Sequence, residues 1–103
     1  MKASKSDLIV IASAKAKPGK VSDLEQALLE AAVPTRIQPG CMSFSLYHSK
    51  NDPNVVVGME RWTSEEAHSK HLQGAHIQTL MMKMGDILAE PPNITSYSVT
   101  DEL

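Results

Sequence analysis

Read as an extended strand, the segment VVVGMERW at residues 55–62 is apolar on both faces. Successive side chains of a strand point to opposite sides. Val56, Gly58, Glu60 and Trp62 therefore share one face, and Val55, Val57, Met59 and Arg61 share the other. LIVI at residues 8–11 likewise shows no alternation. Runs of this kind belong to strands buried on both sides. A sheet built from them has to be covered twice.

The rest of the chain offers cover for one side only. LIVIASAKAK at 8–17 reads as the first strand, since its apolar run is short for a secretory leader and Asp7 interrupts the approach to it. A turn at PGK follows. Ser22 and Glu25 have capping-box spacing, and Val21, Leu24, Leu28 and Ala31 recur at helical intervals. Pro34 is expected to bend or end this helix, and QPG to close it. In CMSFSLYHS, Met42, Phe44 and Leu46 alternate with Ser43, Ser45 and Tyr47. KNDPN is a turn, so this strand and VVVGMERW are expected to form an antiparallel hairpin. Thr63 with Glu66 has the pattern of a second capping box, and Gly74 is expected to break the helix it opens. A further helical piece carries Ile77, Leu80, Met81, Met84, Ile87 and Leu88 on one broad face, and EPPN ends it. ITSYSV reads as the last strand. The order is β-α-β-β-α-β, an α+β fold of the ferredoxin-like kind: a four-stranded antiparallel sheet with helices on one face.

At 103 residues the chain is expected to be one domain, residues 1–103 with a core of about 8–99. The economical cover for the second sheet face is another copy, sheet against sheet, in a symmetric homodimer. A different partner protein is the competing explanation. A net charge of -2 and a pI near 6.0, with only four Phe, Tyr and Trp residues, set nucleic-acid binding aside. No apolar run reaches the ~18 residues of a membrane span. Cys41 is the only cysteine, so no internal disulfide forms, which fits a reducing cytoplasm.

Candidate chemistry gathers in GMERWTSEEAHSKHLQGAHIQTL at 58–80, which holds the only tryptophan and three of four histidines. His68 and His71 share a helix face, but the spacing is not that of a zinc motif and no cysteine pair supplements it, so no metal is expected. His68, flanked by Ser69 and Lys70, reads as solvated. Glu60 on an apolar face needs a partner or holds its proton more tightly, and a histidine from the next helix suits that role. The bland alternative is a strand-end charge that reaches water. Trp62 by itself reads as core sooner than as a ligand platform. Gly58 weakens a strand unless it makes room, and a cavity is one thing it makes room for. Cys41 reads as a small buried thiol, and no glycine-rich phosphate cradle is present.

The stretches KAKPGK, PTRIQPGCMSFSLYHSKNDPN, MERWTSEEAHSKHLQGAHIQTL and EPPNIT together resemble the antibiotic biosynthesis monooxygenase family, from Ile9 to about Val99. The resemblance implies a dimeric α+β barrel. It also implies oxidation of an electron-rich phenol, quinol or polyketide-like aromatic by O₂, without flavin, haem or metal. By the same resemblance His71 is the base, and Glu60 orients or charge-stabilises a histidine. His76 completes the set, and Trp62, Phe44 and Met81 form apolar walls. A haem-degrading branch of the family places an asparagine, a tryptophan and a histidine where this chain has Ala12 or Ser13, His71 and Met81, so haem is disfavoured as a cofactor. A third branch isomerises a small phosphorylated signalling metabolite by acid/base steps; only Arg36 and Arg61 are arginines to meet such a phosphate. The remaining reading is a dimer that binds a small ligand without catalysis.

Overall fold

The computed structural model describes residues 6–102, so the basic opening MKASK lies outside the described residues. The elements are β1 (Leu8–Lys15), α1 (Val21–Arg36), β2 (Cys41–His48), β3 (Val55–Trp62), α2 (Glu65–Leu72), α3 (Ala75–Ile87) and β4 (Asn93–Ser98). The strands form one antiparallel sheet in the order β2-β3-β1-β4. This is the expected ferredoxin-like α+β arrangement, with the second helical region divided in two at Gly74. Among the described residues no helix is long and apolar enough to cross a membrane.

Strand register makes rows of side chains across the sheet. One row on the helix side runs Phe44, Glu60, Val10, Ser96; the next runs Leu46, Gly58, Ala12, Ile94. The core on this side lies in two pieces. In the first, α1 and α3 press Val21, Leu28, Met84, Ile87 and Leu88 against buried Leu24, Ala14, Ala16 and Val56. In the second, Cys41 and Ala67 pack on buried Leu8, Val10 and Trp62. Burying a side chain such as Leu24 or Val10 contributes about 1.5–3 kcal/mol. Between the two pieces stand Gly58 and Ala12, paired across the central strands.

The other sheet face carries Ile9, Ile11, Val55 and Val57, half-buried, with Tyr47, Met59 and Tyr97 exposed. At its edge Arg61 binds Glu102 through two nitrogens at 2.7 and 2.8 Å and Asp7 through Nε at 3.1 Å. The two carboxylates raise the guanidinium's proton affinity, Glu102 more than Asp7. All six residues of β4 are exposed.

Four local expectations need correction. Pro34 lies within α1, which continues to Arg36. Only the bond its N–H would make to Glu30 is lost, and the Thr35 hydroxyl adds one to the Ala31 carbonyl at 2.7 Å. Lys20, not Ser22, is the N-cap of α1, because Leu24 N already bonds Lys20 O at 3.0 Å. Ser64, not Thr63, caps α2: Thr63 N is still tied to Gly40 O at 2.9 Å, and Ser64 Oγ accepts from Ala67 N at 3.1 Å. Finally, β2 has a bulge. Cys41 pairs with Trp62 and Ser43 with Arg61, so Met42 is the extra residue and does not join Phe44 in the cross-strand pattern.

Candidate active site

Alternation along β3 sends Glu60 and Trp62 to the helix side and Arg61 to the opposite face. The Trp62 indole N–H donates to Glu60 Oε1 at 2.9 Å. The helix α2 begins three residues after Trp62, so its first turns fold back over the indole. His68 and His71, three residues apart, share the helix face that meets it. Their ring centroids lie 5.8 and 4.7 Å from that of Trp62. His71 Nε2 is 3.7 Å from Glu60 Oε1, on the oxygen that already accepts the indole proton.

Two glycines bring the remaining residues in. A Cβ at Gly74 would stand 2.7 Å from His76 Cε1, so the missing side chain lets His76 turn back, its ring 5.6 Å from that of His71. Gly40 has φ +86, and a Cβ there would stand 2.5 Å from Ala67 Cβ and 2.9 Å from Thr63 Oγ1. The loop 37–40 thus lies directly on the start of α2. It inserts Gln38, whose Oε1 is 2.7 Å from His71 Nδ1 and 3.1 Å from His76 Nε2. His76 also lines a cleft of about 240 Å³ between α1 and α3, with Ala27, Ala31 and Leu80.

Burial governs the electrostatics. It pushes the Glu60 carboxyl above its usual value, and the Trp62 hydrogen bond only partly opposes this. It pushes His71 down to about 4, with the positive charges of His68 and His76 adding to the effect. His68 is lowered by burial as well. The neutral form of each is favoured. The Cys41 thiol is raised by burial first and by Glu60 second, which fits packing rather than nucleophilic attack.

Of the residues singled out from sequence, Glu60, Trp62, His71 and His76 come together, and Phe44 stands beside Glu60 across the β2–β3 pair. Met81 does not join them: it is 62% exposed on α3, one helical step away from the inward line of Ile77, Leu80 and Met84. His68 is half-buried against Trp62 rather than solvated. Gln38 gave no signal in the sequence, since it reads as part of a turn 33 residues from His71. Among the described residues, no three or more His, Cys, Asp or Glu side chains are arranged to hold a metal ion. A Cβ at Gly58 would touch only Leu46 Cδ2, at 3.6 Å, so there is a small hollow with room for a methyl group over Gly58 on the helix side. Ile94, in the same row, is on the helix side yet 60% exposed.

A sequence profile described as "Antibiotic biosynthesis monooxygenase" matches residues 7–83. The chain belongs to the antibiotic biosynthesis monooxygenase family. The matched span takes in the whole cluster, from Gln38 to His76. Rv0793 of Mycobacterium tuberculosis, which carries a monooxygenase name given provisionally, is 34% identical over 98 residues, 94% of this chain and 95% of its own. Its solved structure superposes with a TM-score of 0.89, covering 94% of this chain and 98% of that one. The uncharacterized protein sll1783 of Synechocystis is 30% identical over 91% of this chain, which spans 64% of that protein's length. PA3566 of Pseudomonas aeruginosa, 23% identical with a TM-score of 0.87 over 93% of this chain and 96% of its own, shares the fold. The fold thus extends across chains of low identity.

Proposed function

We propose that this protein is a cofactor-independent monooxygenase acting with O₂ on an electron-rich phenol, quinol or polyketide-like aromatic. One observation carries the reading: a buried imidazole whose neutral form is favoured stands 3.7 Å from a carboxyl, two residues along β3 from the hollow at Gly58. The family's description supports the reaction type. Substrate lies over Gly58 and Ala12, with Phe44 and Trp62 as walls. His71 takes the acidic hydroxyl or enol proton. The Glu60 carboxyl, 3.7 Å from Nε2, stabilises the imidazolium that forms. The substrate anion passes one electron to O₂, and the two radicals join at a ring carbon. The resulting peroxide takes back the proton from His71; loss of the hydrogen on that carbon then cleaves the O–O bond, leaving one oxygen as a carbonyl while the other departs as water with both hydrogens. Water exclusion from the hollow protects the radical pair.

Both arginines available to the phosphorylated-metabolite reading are engaged elsewhere. Arg61 lies on the opposite sheet face with Asp7 and Glu102, and Arg36 donates from the surface to the Phe44 carbonyl at 3.1 Å. The apolar face of Ile11, Val57 and Met59 supports a homodimer packed sheet to sheet. The test is O₂ consumption with a panel of anthrones, quinols and naphthols. His71→Ala is expected to lose about 10²–10⁴ in rate, and Gly58→Phe to abolish turnover by filling the hollow. Unchanged turnover in His71→Ala sinks the base assignment. No O₂ consumption with any panel member leaves the non-enzymatic binding reading.

A further inference from the structure

The oxygen of Gln38 faces two histidines at once. Its Oε1 lies 2.7 Å from His71 Nδ1 and 3.1 Å from His76 Nε2. A carbonyl oxygen only accepts, so both nitrogens must carry hydrogen. A neutral imidazole has one N–H. His71 Nε2 is therefore bare, and it is the nitrogen turned toward Glu60 Oε1 at 3.7 Å. In His76 it is Nε2 that carries hydrogen toward this oxygen. The groups that face His71 are Glu60 from β3, His68 from its own helix and His76 from α3, with Trp62 against the ring. None of them bonds Nδ1; among the described residues only Gln38 does.

The geometry points to Gln38 as the positioning residue that decides which nitrogen of His71 and of His76 carries the proton. Its side chain is well suited to the task because its backbone is fixed on both sides. Gln38 N donates to Thr35 O at 3.1 Å, and Gln38 O accepts from Cys41 N at 3.1 Å. The tautomer it imposes on His71, Nδ1–H, is the less common one for a free imidazole. That tautomer directs the basic lone pair toward Glu60 and the hollow. Had Nε2 carried the hydrogen, the ring would present a donor there and could not take a substrate proton. The consequence for catalysis rests on His71 being the base, but the tautomer itself does not.

The experiment is two-bond ¹H–¹⁵N correlation of the histidine rings at pH 7, which assigns each ring nitrogen as protonated or bare. In the unaltered protein His71 is expected as Nδ1–H and His76 as Nε2–H. Gln38→Leu removes the acceptor, and the Nδ1–H population of His71 is expected to fall tenfold or more. Gln38→Glu keeps an acceptor oxygen; it is expected to retain both tautomers and to raise the pH at which His71 titrates. Finding His71 as Nε2–H in the unaltered protein overturns the assignment, and so do unchanged tautomers in Gln38→Leu. Should Gln38→Leu not fold, the unaltered protein and Gln38→Glu still decide the matter. If the tautomers match while His71→Ala keeps full turnover, the monooxygenase reading loses its base and the role of Gln38 stands.

Discussion

Replacing Gly40 by alanine tests the contact that brings Gln38 to the histidines. Two costs add at this position. A residue with a Cβ at φ +86 is held in the left-handed region, at about 1–2 kcal/mol. The new methyl would also stand 2.5 Å from Ala67 Cβ and 2.9 Å from Thr63 Oγ1, and overpacking of this kind costs about 1–3 kcal/mol. The sum is about 2–5 kcal/mol. Gly19 is the internal control: its φ is +79, but nothing lies within 4 Å of a Cβ there. Gly19→Ala should lose only the conformational part, about 1–2 kcal/mol. A loss of about 3 kcal/mol lowers Tm by about 12–24 °C in a domain of this size. Thermal and urea unfolding followed by far-UV circular dichroism, at one fixed protein concentration, measures both variants. Equal losses in the two would mean that loop 37–40 does not lie on α2 as described, and the route by which Gln38 reaches His71 would fall with it.

Three further outcomes are expected. His71 titrates at about 4 when folded against an ordinary 6.5, so between those values the unfolded chain binds more protons and stability rises with pH. The term is fully present above about 6.5, worth up to about 3 kcal/mol, and lost as pH falls to 4; urea unfolding of His71→Gln should show that much less pH dependence than the unaltered protein. Val57→Asp puts a charge on the uncovered sheet face and should halve the mass seen by light scattering while leaving the histidine tautomers unchanged; an unchanged mass would count against a sheet-to-sheet dimer. Gly58→Ala meets one neighbour at ordinary contact distance and should unfold within about 0.5 kcal/mol of the unaltered protein, or later.

Parity along β3 was readable because it depends only on the extended backbone. Glu60 and Trp62 therefore fell on one side and Arg61 on the other in sequence and structure alike. The placement of His71 next to them also follows from local rules, since α2 starts immediately after the strand. By the same rule His68, three residues earlier on the same face, should have been grouped with His71. Exposed Ser69 and Lys70 lie on the other side of the helix and say nothing about it. The broad apolar face drawn through Ile77, Leu80, Met81 and Met84 was too broad: Met81 lies off its inward line and is exposed. Gln38 was not legible, because its contact depends on how a loop docks onto a helix some 30 residues away. The bulge at Met42 was hidden too: the apolar-polar alternation of CMSFSLYHS continues through it on paper.

That bulge and β3 differ in what they tolerate. β2 lies at the sheet edge and has already taken in an extra residue, Met42, without disturbing Phe44 or Leu46. β3 is hydrogen-bonded on both sides, to β1 and β2, in unbroken register with β1 from Val55 to Trp62. One residue inserted there would exchange Glu60 with Arg61 and turn the acid outward and the cation inward. Length variation among natural or engineered relatives of this chain should accordingly collect in the 49–54 turn and in β2, while β3 stays at eight residues.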